Sequence, residues 1–518
     1  MHQFKTAMKK ILGQLAFFAI CFLILLLTIK GKSGQPLAYQ FDQDTSVGGP
    51  FESSNNTSRY VLTQAIALNH RFTLTEQEAR LAAPDVVYYD NRFQSIFMPG
   101  ISLMAVPFFL IGNYFQAPQL GAYFSTIVFS LINVYLVYKL SCRLGAHPTA
   151  AKIGACVFLF GTNAFVYALT LTQHQASITV LLAACLLAFQ RFSWKSAFFF
   201  GALYGLGFLF DFPNLMILFP LGVYMLTKAF IFRKTKDKIL FSIKLQVIAL
   251  LIGFLPLLAL FGWYNIQVTG SPVKIAQFLG RSNYFDTQEK QESDAKAHAE
   301  DLADPYSPHL PFQTRLQLKG LTVLTLGNER SWLYYSPVLL LGIAGIISLL
   351  KDEKKKTMGL VVMSVVVTNI FIYSLFGDPW GGWSFGARYL LQAAALMSVF
   401  LAVALTTTRS WIFKGLFIIL TIYSVCVSAA GAVTSATIPP KQESIHLTTS
   451  TPYTYEYNFR LINEGKVFSL AYSLIDHSKV SAFNYYVFIS TLPLLVILTL
   501  FIMYSVPSLP SLKYVRKK

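Results

Sequence analysis

Acidic residues are scarce in this 518-residue sequence, in which 24 Asp and Glu stand against 42 Lys and Arg. Charged residues make up only 13% of the chain, whereas soluble domains carry about a quarter. Hydrophobic residues reach 54% and aromatic residues 15%. Repeated apolar runs of about twenty residues match a bilayer core of about 30 Å. The sequence therefore predicts an all-α, polytopic integral membrane protein rather than a set of soluble domains.

Other absences exclude several classes of site. The five cysteines lie in apolar runs or at their ends, so no disulfide framework is predicted. No GxxxxGK[ST] loop for nucleotide phosphates occurs, and no His/Cys/carboxylate spacing indicates a metal site. The net charge of +18 is not gathered in a soluble basic module of the kind that binds nucleic acid. We expect no cofactor, no metal and no nucleic-acid partner.

The basic residues instead indicate membrane topology. Seven short segments between apolar runs hold most of the Lys and Arg but only three acids, Asp237, Asp352 and Glu353. The positive side of such an asymmetry is cytoplasmic. This predicts a helical bundle of about twelve spans with both termini in the cytoplasm. The predicted spans lie near 11–29, 119–139, 152–171, 175–190, 196–211, 213–230, 245–266, 332–350, 357–376, 387–407, 411–433 and 485–506.

The same topology predicts large extracytoplasmic loops at 30–118, 267–331 and 434–484. Long loops usually carry function, so the active site is expected on the extracytoplasmic side. We divide the chain into a catalytic membrane module, 1–433, and a final loop with the last span, 434–518. The apolar segment Ile96–Phe115 is expected to form a re-entrant or juxtamembrane helix, because a crossing there would move every later basic cluster outside.

Two ionisable residues stand at predicted outer ends of spans, where an ionisable group is costly unless it is paired or used. Asp211, in LFDFPNL, can present a carboxylate at the outer rim or simply cap a helix. His174, in LTLTQHQAS, can bind phosphate or act as a base, and a hydrogen-bonded structural histidine is the alternative.

A Gly-rich stretch, FGDPWGGWSFGARYL at 376–390, places Arg388 in the first turn of a predicted helix. A cation there opposes the helix dipole, so an anionic partner is expected. Backbone N–H groups and Arg388 together suit a phosphate. The alternative is a salt bridge to Asp378 or another loop acid.

The first loop mixes carboxylates with arginines and many tyrosines. The acids are Asp42, Asp44, Glu52, Asp85 and Asp90, and the arginines include Arg59 and Arg92. A carboxylate can deprotonate an incoming hydroxyl, and arginines can hold a leaving phosphate. This composition suits a sugar or phosphate site.

Three segments carry a family resemblance: TSRYVLTQAIALNHRFTL, PDVVYYDNRFQSIFMPGISLMAVPFFLIG and WGGWSFGARYLL. In this order they resemble GT-C membrane glycosyltransferases of the family 39 type, which include protein O-mannosyltransferases and the lipid A aminoarabinose transferase. The resemblance implies a GT-C fold and an inverting enzyme of the cell envelope. Such an enzyme transfers a sugar from a polyprenyl-phosphate donor to an extracytoplasmic acceptor, with a first-loop carboxylate as base.

The sequence departs from that pattern at two points. Arg59-Tyr60 matches, but Asn56 and Thr57 stand where relatives have acids, and SIFMPG at 95–100 lacks the usual lysine. We therefore predict Glu52 as the base and Asp44 as the second candidate. The predicted substrate-binding residues are Arg59, Tyr60, Asp90, Arg92, His174, Asp211, Asp378 and Arg388. A transporter or flippase for a lipid-linked or small polar solute is the alternative function, and an inactive scaffold is a third.

Overall fold

The computed structural model describes residues 2–31, 47–234, 239–279, 312, 317–447 and 450–505. Helices dominate these residues. In chain order they are α1 His2–Thr28, α2 Ser54–Asn69, α3 Glu76–Ala82, α4 Gly100–Tyr114, α5 Pro118–Arg143, α6 Pro148–Phe160, α7 Ala164–Tyr167, α8 His174–Ala188, α9 Trp194–Phe210, α10 Asn214–Ile217, α11 Phe219–Ala229, α12 Val247–Thr269, α13 Gln317–Thr325, α14 Trp332–Tyr335, α15 Gly342–Lys351, α16 Lys356–Ser374, α17 Leu391–Thr407, α18 Trp411–Val433, α19 Lys441–Ser444, α20 Glu456–Asn463, α21 Leu470–Ser473 and α22 Ala482–Ser505. Short 3-10 turns occupy Ala276–Phe278, Pro337–Leu341 and Arg388–Leu390.

The predicted helical membrane fold is confirmed. Each of the twelve predicted spans contains helix, but those near 152–171, 213–230 and 332–350 are divided into shorter pieces. Among the described residues, six helices are long and apolar enough to cross a membrane. They are Pro118–Arg143, Val247–Thr269, Lys356–Ser374, Arg388–Thr407, Trp411–Val433 and Ala482–Ser505. Shorter apolar helices include Leu12–Thr28, Pro148–Phe160, His174–Ala188 and Trp194–Phe210. The number of crossings, the position of the termini and the division at residue 433 stay predictions.

Helix α17 lies at the centre of the bundle. Every residue from Leu391 to Leu405 is buried, and the helix packs against α5, α6, α8, α15 and α16. Its composition, LQAAALMSVFLAVALTT, is apolar on all sides, as expected of a helix without a lipid or water face. Arg388, in the turn directly before α17, is therefore attached to a well-packed core.

Within the segment Ile96–Phe115, residues Gly100–Tyr114 form the 15-residue helix α4. A helix of this length extends about 22 Å, less than a bilayer core. A short turn at 115–117 folds α4 back along α5, where Gly112 and Gly121 bring the two backbones into close contact. This geometry agrees with a helix that does not cross, and its position relative to the membrane stays a prediction.

Two β-hairpins were not predicted from the sequence. Strand β1, Val86–Tyr89, pairs antiparallel with β2, Arg92–Ser95, and strand β3, Phe230–Lys234, pairs with β4, Ile239–Ile243. Asp90 and Asn91 connect β1 and β2 with positive φ angles of 51° and 56°. Asp and Asn tolerate this region and favour two-residue hairpin turns, so the YYDNRF sequence carried the signal.

The first half of α2 is polar and buried. Residues Asn55 to Thr63 all lie in the protein interior, beneath the cavity described below. Buried polar groups need partners, so this part of the first loop is a fixed wall of the fold rather than a solvated loop.

Candidate functional site

The predicted outer loops meet at one cavity of about 640 Å³. Its lining comes from the first loop, the second loop, the Gly-rich stretch, the third loop and the span ends near Gln173 and Asp211. The charged and amide residues among them are Glu52, Asn55, Asp85, Gln173, Asp211, Gln277, Asp378, Arg388 and Glu443. Tyr373, Tyr389, Phe97, Phe376 and Trp383 add aromatic faces. Carboxylates, a cation and rings around one space suit a sugar phosphate.

Arg59 lies directly beneath this cavity on α2. Its side chain is 2% exposed, and its Cζ lies 3.8 Å from the centre of the Phe97 ring. Nη1 donates to the backbone oxygen of Asn55 (3.1 Å) and to its side-chain oxygen, and Nη2 donates to Gln173 Oε1 (2.7 Å). Nε is buried without a partner among the described residues. Burial lowers the pKa of Arg59, against the fields of Asp211 and Asp85, yet an arginine remains charged at neutral pH.

Gln173 links Arg59 to Asp211. It accepts from Arg59 through Oε1 and donates through Nε2 to Asp211 Oδ2 at 3.1 Å. Asp211 is therefore tied to the cavity wall and does more than end α9. Burial raises the pKa of the Asp211 carboxyl, while the Gln173 bond and the charges of Arg59 and Arg388 oppose the shift. A held carboxylate with a raised pKa fits a general base better than a solvated one does.

Arg388 begins the 3-10 turn before α17 and faces the same cavity. Its Nε has no hydrogen-bond partner within the described part of the chain. Gly381, Gly382 and Gly386 upstream have positive φ angles of 74°, 61° and 58°, which explains why this turn needs glycine. The Arg388 side chain lies against Gly381 and near the ring of Tyr389.

The alternative of a salt bridge between Arg388 and Asp378 does not form in this structure. Asp378 Oδ2 instead accepts from Gly382 N at 2.6 Å. Within the described ranges, no carboxylate lies within 4.0 Å of the guanidinium of either Arg59 or Arg388. Two partly desolvated cations without a close counter-charge favour an anionic ligand.

Glu52, the predicted base, is 1% exposed and fully engaged. Oε1 accepts from Lys30 Nζ (3.0 Å) and Ala436 N (2.8 Å). Oε2 accepts from Gly48 N (2.6 Å), Ser435 Oγ (2.6 Å) and Thr437 Oγ1 (3.2 Å). We call this arrangement the Glu52 clamp. Five donors occupy the lone pairs that a base needs, so the geometry favours a structural role in joining the first and third loops.

The structure places the remaining predicted residues as follows. Tyr60 packs in the core against Phe51 and Phe109 and does not line the cavity. His174 is buried at the start of α8, where its ring packs edge-on to Tyr167 at 5.2 Å. Asp44 lies outside the described residues.

Asp90 and Arg92 are exposed on the β1–β2 hairpin, away from the cavity. Arg92 donates to the backbone oxygen of Gln267 (3.3 Å) and lines a separate groove with Trp263. The structure therefore does not join these two residues to Arg59, Asp211, Asp378 and Arg388. The role of every predicted site residue stays a prediction.

Sequence reasoning missed Gln173 and Arg330 in this region, and it named Asp85 only as one of the first-loop acids. Asp85 lines the cavity and accepts from Ser54 Oγ at 2.8 Å, and Gln173 makes the link described above. Arg330 is wholly buried, and its guanidinium donates to backbone oxygens of the Gly-rich stretch and the third loop, including Ile438 O at 2.8 Å. For Asp85 and Arg330, the available signal was a charge next to apolar runs. Only the fold shows that these residues and Gln173 lie in the same region.

Comparison with known proteins gives one family match. Residues 103–259 match the model of the family described as dolichyl-phosphate-mannose-protein mannosyltransferase. This match confirms the resemblance to GT-C membrane glycosyltransferases over that part of the chain. No curated protein matches the sequence.

Solved structures of two proteins are also similar to this chain. ArnT from Cupriavidus metallidurans is 12% identical in its apo state, over 93% of this chain and 76% of ArnT, with a TM-score of 0.46. The form bound to undecaprenyl phosphate is 13% identical, over 94% and 77%, with a TM-score of 0.49. The archaeal oligosaccharyltransferase AglB from Archaeoglobus fulgidus is 14% identical, over 84% of this chain and 57% of AglB, with a TM-score of 0.48.

Proposed function

We propose that this protein is a glycosyltransferase that takes a sugar from a polyprenyl-phosphate carrier and passes it to an extracytoplasmic acceptor. The family match to dolichyl-phosphate-mannose-protein mannosyltransferases supports a lipid-phosphate donor. One observation carries the proposal. Arg388 and Asp211 line the same cavity, Arg59 lies beneath it, and neither arginine has a close carboxylate partner among the described residues.

Arg388 receives the carrier phosphate in this proposal. Arg388 lines a cavity that also exposes the stacked rings of Tyr373 and Tyr389, whose centroids lie 4.4 Å apart, and its Nε has no hydrogen-bond partner among the described residues. Charge-assisted bonds from a guanidinium stabilise the negative charge that grows on the phosphate as it leaves. Arg59 adds positive potential from below, since its side chain is fixed by Asn55 and Gln173.

Asp211 replaces Glu52 as the leading candidate base. The acceptor hydroxyl gives its proton to the Asp211 carboxylate, and its oxygen forms a bond to the anomeric carbon. The bond from that carbon to the phosphate oxygen breaks, and its electron pair leaves with the phosphate. A single displacement of this kind inverts the anomeric centre. Gln173 donates to Oδ2 of Asp211 and holds the carboxylate at the cavity wall, where the acceptor hydroxyl would approach it.

The test is sugar transfer by the purified protein in vesicles. Donors are radiolabelled polyprenyl-phosphate sugars, and acceptors are an envelope lipid extract and a peptide mixture. We expect labelled acceptor with the wild type, none with Asp211→Asn and little with Arg388→Gln. The matched control Arg92→Gln should retain transfer, because Arg92 lies on a separate groove. Movement of intact donor across the vesicle without transfer would favour the transporter alternative and contradict the proposal.

A further inference from the structure

Three cations converge at the end of α8 that lies far from the cavity. Lys228 Nζ donates to Gln190 O (2.9 Å) and to Ala188 O, and Arg143 Nη2 donates to Phe189 O (2.7 Å). Lys244 Nζ donates to Lys228 O at 2.8 Å. We call Arg143, Lys228 and Lys244 the cation cluster. The three residues come from the ends of α5 and α11 and from the segment after β4, so the fold builds the cluster from distant parts of the chain.

The backbone does not neutralise this cluster. The C-terminal end of a helix supplies about half a negative charge, against three full positive charges. None of the three cations has a carboxylate within 4.0 Å in the described part of the protein. Helix capping therefore explains the hydrogen bonds but leaves most of the charge uncompensated.

The sequence around the cluster offers few acids to supply the missing charge. Between Asp90 and Asp286 only Asp211 and Asp237 are acidic. Asp211 follows the opposite end of α9, about 25 Å away along the helix axis. Asp237 lies outside the described residues. Arg191, directly after the carbonyls that Lys228 and Arg143 contact, is exposed and adds to the positive charge.

Apolar surface adjoins the cluster. Phe241, Ile243 and Leu245 are 55%, 50% and 69% exposed, and they flank Lys244 on both sides in the chain. Helices α5 and α8 are apolar and end at the cluster. Such a surface meets hydrocarbon while the cations meet head groups. A cluster of cations beside apolar helix ends is the arrangement expected at a binding site for an anionic lipid.

We propose that the cation cluster binds the phosphate of an anionic membrane phospholipid, with the lipid chains against Phe241, Ile243 and Leu245. Two features favour a membrane lipid over free phosphate: the cluster lies at the ends of apolar helices, and the exposed apolar side chains of Phe241, Ile243 and Leu245 adjoin it. The site is separate from the cavity, so it does not depend on the proposed sugar transfer.

The test uses the full chain in detergent, with phosphatidylglycerol, cardiolipin or phosphatidylcholine added, and native mass spectrometry to count retained lipids. We expect preferential retention of the two anionic lipids. The variants Lys228→Gln and Lys244→Gln each remove one positive charge, and each should weaken retention of the anionic lipids about fivefold. Lys244→Arg keeps the charge and should retain the lipid. Lys354→Gln, at an exposed lysine outside the cluster, is the matched control.

Several outcomes overturn the proposal. Equal retention of all three lipids would show that charge does not select the ligand. Unchanged retention in both Lys→Gln variants, with melting temperatures like the wild type, would place the lipid elsewhere. If inorganic phosphate alone stabilises the lipid-free protein through the same residues and competes with the lipids, the site is one for free phosphate. If a Lys→Gln variant does not fold, the proposal is tested with Lys244→Arg alone. Loss of the lipid in a folded Lys244→Arg protein would contradict the proposal.

Discussion

Replacing Glu52 by Gln separates a structural role from a catalytic one. Glu52 and Lys30 are 1% and 2% exposed and lie 3.0 Å apart. The substitution leaves the Lys30 ammonium buried without a counter-charge and turns an amide NH₂ toward groups that are themselves donors. Removing one partner of a buried ion pair costs about 3–5 kcal/mol. We therefore expect Glu52→Gln to destabilise the protein strongly.

The assay is thermal unfolding of the purified protein in detergent. At roughly 2 °C per kcal/mol for a large chain, the expected loss is roughly 6–10 °C. The double variant Lys30→Met/Glu52→Gln removes both charges and should recover part of this loss. Glu76→Gln is the matched control, because the Glu76–Arg80 pair is 51% and 40% exposed and such surface pairs contribute about 0–1 kcal/mol.

The opposite result would refute this reasoning. If Glu52→Gln melts within about 2 °C of the wild type but loses transfer completely, the clamp is dispensable for folding and Glu52 is the base first predicted from the sequence. If stability falls while the surviving folded protein still transfers sugar, the structural role stands and Asp211 remains the candidate base.

Three further predictions address the cavity and the helix packing. Arg388→Gln should weaken retention of polyprenyl phosphate at least about tenfold in native mass spectrometry, since a bond to a charged group contributes about 1.5–3 kcal/mol, whereas equal losses in Arg92→Gln would contradict the assignment. Burial raises the pKa of Asp211, so sugar transfer should fail as pH drops through a value above that of an ordinary aspartate; an acid limb at the ordinary value would exclude Asp211. In Gly253→Ala the new Cβ would overlap the backbone oxygen of Phe198, which should cost about 1–3 kcal/mol in thermal unfolding, while Gly415→Ala, with no atom within 4 Å, should be neutral or slightly stabilising.

The clamp and the cavity wall are parts of one arrangement. The clamp joins Glu52 of the first loop to Ser435, Ala436 and Thr437 of the third loop, and Arg330 joins the second loop to the third. Loops tied together by these contacts fix the shape of the cavity wall. Such a pre-formed site loses less conformational entropy when a long lipid donor binds.

The sequence by itself determined the membrane class, the helical fold and the positions of the helices. These features depend on local properties, namely the length of apolar runs and the charge of the segments between them, which need no knowledge of distant contacts. It also predicted that an arginine follows the Gly-rich stretch at the start of a helix, and the structure places Arg388 in the 3-10 turn that leads into α17. That this arginine binds an anion stays a prediction.

Only the tertiary structure decided which charged residues act together. Glu52 accepts hydrogen bonds from third-loop residues almost four hundred positions away and pairs with the buried Lys30. Arg59 and Asp211 instead share Gln173 at the cavity wall. Asp90 and Arg92, equally suitable by composition, lie on an outer hairpin. A carboxylate's partners depend on which segments the packed helices bring together, and this information is absent from local spacing.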